Sequence, residues 1–186
     1  MKFIKISIGK LLTGLFRRYY KKPSHPLIDM NRIRNIDDAI VLLKSYSGPF
    51  ELTLHPAASE ALIQAVEQAY GIQLPEDFKS FYRFTNGFEI DEDIFNMIPL
   101  DEMISNSKDD QRPAISEFMI YSDLWYFELD ETDADQYRIY VISHDAEKII
   151  LSNSLADFIA RSLTGSVCEP GGLYEWQKEI KAATQQ

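Results

Sequence analysis

A chain of 186 residues, 45% hydrophobic and 12% aromatic, is long enough to bury one core unaided and too rich in large apolar side chains to stay disordered. No run approaches the roughly 18 consecutive apolar residues of a membrane span, and a lone cysteine, Cys168, excludes an internal disulfide or a paired-cysteine zinc site and fits a reducing cytoplasm. The formal charge of −10 hides an asymmetry, since residues 1–22 hold seven of the 19 basic side chains and no acid, leaving 12 basic against 29 acidic groups (−17) on the remainder; that field repels nucleic acid and attracts cationic proteins.

Residues 1–22 open with alternating Ile4, Ile6 and Ile8 and continue as a helical stripe of Leu11, Leu12, Leu15, Phe16 and Tyr19. Lys5 and Lys10 interrupt any apolar signal core and residues 17–20 offer no small-residue cleavage site, so a retained basic amphipathic extension is expected. Two readings stand for it: peripheral contact with anionic membrane or an acidic partner, or docking on the acidic domain itself. Pro23, Ser24, His25 and Pro26 break the chain, and the domain proper is expected over 23–165.

From Asn35 the pattern is helical, with Ile36, Ile40 and Leu43 on one face, Asp37 and Asp38 in the first turn and Gly48-Pro49 as stop. A short strand is predicted over 50–54. A helix starting near Pro56 buries Leu62, Ala65, Val66 and Ala69 and ends at Gly71. Pro75 opens another, with Glu76 and Asp77 at the positive end of its dipole and Phe78, Phe81 and Tyr82 inward. Asn86-Gly87 reads as its left-handed stop. The period then shifts to two, predicting strands over 94–98, 117–121, 124–129, 137–143 and 148–151, and their short links favour antiparallel pairing. A helix over 155–163 presents Leu155, Phe158, Ile159 and Leu163 inward behind the capping candidates Ser152 and Ser154. Residues 166–186 add a loop and a last helix over 173–183 through Leu173, Trp176 and Ile180. The expected fold is α+β, a mostly antiparallel central sheet of about five or six strands with helices packed on one side.

No constellation in the sequence carries chemistry. His25, His55 and His144 are far apart and lack metal-ligand spacing. Glu169 beside Cys168 raises its thiol pKa. Gly171-Gly172 lacks the setting of a dinucleotide loop, and Asp130 to Asp135 lacks the central glycine and the spacing to a terminal glutamate of a calcium loop. The expectation is a protein that is not an enzyme and takes no cofactor or metal. Its acids gather in links: Glu89, Asp91, Glu92 and Asp93; Asp101 and Glu102; Asp130, Glu131, Asp133 and Asp135. These are either solvated loops or a negative surface that speeds encounter with a basic partner, with Tyr121, Trp125 and Tyr126 as candidate anchors. Period two sends Trp125 to the face opposite Leu124 and Tyr126, so only some of the three can point outward.

The stretch 61–87, with Glu67 before Tyr70-Gly71, then Leu74-Pro75, Phe78, Phe81 and Asn86-Gly87, resembles the helix pair of the SUKH superfamily, to which fungal cell-wall assembly regulators of the Smi/Knr type belong. Ile98-Pro99-Leu100 with Glu102 resembles the strand leaving that pair, and 154–163 its closing helix, so the likeness runs from about residue 50 to 163. Phe88, where the family commonly has glycine, and Ser122-Asp123, in place of a glycine-rich turn, depart from it. The resemblance implies a SUKH-like fold in which Glu67, Leu74, Pro75, Phe78, Phe81, Asn86 and Gly87 are structural. It also implies an immunity protein that neutralises a toxin of nuclease or deaminase type, or alternatively an intracellular scaffold or regulator in cell-wall or envelope signalling.

Overall fold

A computed structural model describes residues 28–91, 94–130, 133, 136–143 and 145–184; the basic extension 1–22 lies outside them. After a 3₁₀ turn at Met30–Arg32, α1 (Ile36–Lys44) starts where the Asn35 side chain accepts the Asp38 N–H at 3.0 Å. Helix α2 (Glu60–Tyr70) begins later than the expected start near Pro56, at Ser59, whose Oγ accepts the Leu62 N–H at 3.2 Å. A side-chain acceptor for an orphan N–H fixes the start more firmly than proline's φ alone. Gly71 ends it in a left-handed cap at φ 66°, and α3 (Glu76–Phe84) buries Phe78, Phe81 and Tyr82 as predicted. A further helix, α4 (Leu100–Asn106), was not among the predicted elements. Its signals are Pro99 before the first turn and Asp101 and Glu102 within it, where they complement the dipole. Helices α5 (Leu155–Gly165), capped by Ser154, and α6 (Leu173–Thr184) complete the set among the described residues.

The sheet has seven strands in sequence order, every neighbour antiparallel: β1 (Leu52–Leu54), β2 (Phe88–Ile90), β3 (Phe95–Met97), β4 (Ala114–Phe118), β5 (Asp123–Leu129), β6 (Tyr137–Ile142) and β7 (Lys148–Ser152). The strand beyond the expected five or six is β2, three residues long with a central glutamate. Its own pattern is too short to announce a strand; pairing with β1 on one side and β3 on the other makes it one. The strand expected over 117–121 instead ends at Phe118, because the next three residues adopt positive φ.

Period two splits the sheet into faces. Trp125 and Phe127 point into the core, and Tyr126 between them points out. Ring contacts run from Phe81 through Phe88, Phe95 and Trp125 to Phe158 of α5, at centroid spacings of 5.9–6.3 Å, while Phe78 lies 4.6 Å from Phe127. Burying each such side chain contributes about 2–3 kcal/mol. Helices α3, α5 and α6 pack on this face, α6 through Tyr174 against Phe118. Val167 and Leu173 are also fully buried. Gly165 and Gly172 pack backbone to backbone, so that a Cβ on Gly165 would lie 2.3 Å from the Gly172 nitrogen. The segment after α5 therefore rests on the same core as the sheet. Tyr137 ties three elements together: its hydroxyl donates to Asp77 of α3 and accepts the Leu155 N–H of α5 at 2.6 Å.

Candidate partner-binding surface

Strand registers sort the links by position. The β2–β3, β4–β5 and β6–β7 links lie at one end of the sheet, and the β3–β4 and β5–β6 links and the β1–β2 helix pair join it at the other. The acidic clusters read from the sequence are thereby divided. Asp91 and Tyr121 belong near the first end, Asp130 and Asp133 to the second, and Glu89 sits at the middle of β2. Glu92, Asp93 and Glu131, like His144, fall outside the described residues.

At the second end the motif residues bond inward. Glu67 Oε1 accepts the Leu74 N–H at 2.9 Å and lies 2.9 Å from Lys79 Nζ, closing the link between α2 and α3. Burial opposes ionisation of Glu67, but the Lys79 ammonium and the Leu74 N–H outweigh it and hold the carboxyl below the usual glutamate range. Asn86 Oδ1 accepts the Leu100 N–H at 2.9 Å, Asn86 Nδ2 donates to Asp101 at 3.0 Å, and its backbone N–H donates to the Pro56 carbonyl at 3.1 Å. Gly87 is not the helix stop expected of it. Thr85, in extended conformation, caps α3. Gly87 is required two residues later, at φ 92°, where a Cβ would stand 2.2 Å from the Met97 carbonyl oxygen. His55 lies between the Asn86 carbonyl, 3.2 Å from Nδ1, and the Glu89 carboxylate, 2.9 Å from Nε2. Glu89, expected to meet a partner, is thus engaged within the fold. Asp130, at the end of β5, stands 3.9 Å from Arg138, and Asp133 is exposed.

The first end is built differently. Met119, Ile120 and Tyr121 hold φ of 49°, 54° and 59° in succession and are 57%, 86% and 42% exposed. Left-handed backbone costs an ordinary L-residue about 1–2 kcal/mol, and a β-branched residue there is an outlier. The surroundings over-determine the turn. Met119 N–H donates to the Ile94 carbonyl at 2.9 Å, and Ser122 N–H to the Phe118 carbonyl at 3.0 Å. The buried Glu117 carboxylate accepts Asn96 Nδ2 at 2.5 Å on one oxygen and the Tyr121 N–H at 2.7 Å on the other. The Tyr121 hydroxyl donates to Glu102 and accepts Asn106 Nδ2 at 3.1 Å, and burial together with Glu102 pushes its pKa up to about 12. Asp91 (φ 54°), Asp123, Asp145 and Glu147 lie in or beside the three links. Asp91 Oδ1 accepts the Glu51 N–H, Asp123 accepts the Tyr174 hydroxyl at 2.5 Å, and Glu147 pairs with Lys181 at 2.9 Å.

Of the three expected anchors, Tyr121 alone is well exposed. Trp125 is fully buried against Phe95 and Phe158, so it belongs to the core. Tyr126 faces outward but is 7% exposed. It stacks on Tyr140 at 5.5 Å, the Arg112 guanidinium lies 4.9 Å over its ring, and Lys148 lies 4.2 Å over Tyr140. Both rings are occupied by the chain's own cations. Sequence reasoning missed Met119 and Ile120, whose apolar character in an apparent strand resembled ordinary core alternation.

Among the described residues no group of three or more His, Cys, Asp or Glu side chains could hold a metal ion, and no helix is long and apolar enough to cross a membrane. Cys168 is exposed, and partial desolvation of its thiol, with Glu169 and Asp123 nearby, raises its pKa.

A sequential antiparallel sheet backed by helices, with an internally bonded motif end and an acid-bearing hairpin end, defines a single-sheet α+β domain. The model of the SMI1 / KNR4 family (SUKH-1) matches residues 57–161, more than half of the chain, and the protein belongs to that family. No curated protein matches it.

Proposed function

We propose that this protein is an immunity protein that neutralises a cognate bacterial toxin, a nuclease or deaminase, by direct binding and without catalysis. The observation that carries this reading is the hairpin end of the sheet, where exposed apolar side chains sit among carboxylates on a body of charge −17 outside residues 1–22. Enzymes that cut or edit nucleic acid carry cationic substrate surfaces, which such a field steers and occludes. Membership of the family supports a protein-binding role in general. The test is co-expression with the toxin domain encoded beside this gene: the full-length chain is expected to restore growth and co-purify with it, and loss of neither toxicity nor free toxin would end the reading.

A second reading, a scaffold or regulator in envelope signalling, is favoured by one feature: the seven cations and apolar stripe of residues 1–22. Flotation of the full chain with anionic liposomes, compared with a chain lacking 1–22, separates the two, because only the scaffold reading requires lipid binding.

A further inference from the structure

We propose that Met119 and Ile120, at the tip of the β4–β5 turn, are the apolar anchor of the partner interface and enter an apolar recess on a cationic protein. The inference rests on the binding reading above and names the part of the surface that supplies affinity. Ile120 is 86% exposed and Met119 57%, and both hold left-handed backbone that asparagine or glycine would adopt with less strain. Strain of this kind persists where the surrounding structure enforces it, and it concentrates at functional positions. Here three elements enforce it: β4 through Glu117, the residue before β3 through the Ile94 carbonyl, and α4 through Glu102 and Asn106. The tip is therefore fixed before any partner arrives, which removes the ordering cost that a flexible loop would incur on binding.

Charge chooses the occupant. Glu102, Glu117 and Asp123 stand around the tip, and Asp91 and Asp145 belong to the flanking links. A second copy would bring like charges together, and an anionic membrane would be repelled. A protein recess with an apolar floor and a basic rim complements both features. A side chain that fills such a recess is fully desolvated at the centre of the interface, where binding energy concentrates, and the surrounding charge sets encounter rate and register.

The experiment titrates the full-length chain against each candidate toxin domain found encoded beside its gene. Ile120→Asp is expected to weaken binding about thirty-fold or more, the loss that truncating a central anchor produces. Ile120→Asn keeps the left-handed turn and is expected to raise Tm by about 2–4 °C while still losing about tenfold in affinity. Val41→Asp, at a 62% exposed position of α1, is the control and should change nothing. If the unaltered chain binds and both Ile120 variants bind within about threefold of it, the anchor is elsewhere and the inference is overturned while the function stands. Overturning results also include a dimer, or binding to neutral vesicles, that Ile120→Asp abolishes. If the unaltered chain does not bind the toxin, the functional reading and this inference fall together.

Discussion

The two ends of the sheet are made of similar residues put to opposite use. At the end joined by the helix pair, Glu67, Asn86 and Asp101 turn their polar atoms inward, to Leu74 N–H, Lys79, Leu100 N–H and one another. At the hairpin end, Glu117 and Glu102 fasten a turn whose apolar side chains are left in solvent. One end satisfies buried groups; the other uses them to hold an exposed shape. Substitutions should therefore register as lost stability at the helix-pair end and as altered binding, with little change in stability, at the hairpin end.

Gly87→Ala tests the contrast most severely. A methyl group at φ 92° and 2.2 Å from the Met97 carbonyl combines left-handed strain with overpacking and should cost about 3 kcal/mol in urea unfolding; a cost near zero would show that β3 yields. Tyr137→Phe removes the hydroxyl that joins Asp77 to the Leu155 N–H. A loss of about 2 kcal/mol is expected, with the urea m-value unchanged. Glu67→Gln should cost about 1 kcal/mol. Because the folded carboxyl is held below its ordinary value, its contribution is complete above about pH 4.5 and fades as the pH falls through the folded pKa. The variant should accordingly lose its deficit relative to the parent in acid, which pH-dependent melting curves would reveal. At the hairpin end, Asp145→Lys should alter stability by about 0.5 kcal/mol or less, yet slow association with a basic partner several-fold at low salt, the effect vanishing as salt is raised. A large stability change there would erase the distinction between the ends.

Much of the architecture was legible in the residues. Asn35 and Ser154 announce α1 and α5 because a short polar side chain ahead of an apolar stripe answers an orphan N–H wherever it occurs. The motif around Glu67, Leu74, Pro75 and Asn86 identified the family for the same reason: its bonds are local or bridge neighbouring elements. Less legible were β2, which exists through its neighbours, and α4, whose acidic first turn resembled a surface cluster. Gly87 was read for its φ, a local property, whereas the nearby Met97 carbonyl is a contact across strands. The anchors were the least legible. Period two correctly separated Trp125 from Tyr126, but no pattern says which face the helices cover, nor that Arg112 and Lys148 lie over the outward rings.

The sequence by itself determined the α+β class, the starts of α1, α3 and α5, the aromatic core and the acidic sign of the body, since these follow from propensity, periodicity and summed charge. The tertiary structure alone decided which acids share an end and that Met119 to Tyr121 leave the strand to form an exposed left-handed turn. Register and long-range hydrogen bonds join residues many positions apart, and their energies appear only once the sheet has closed.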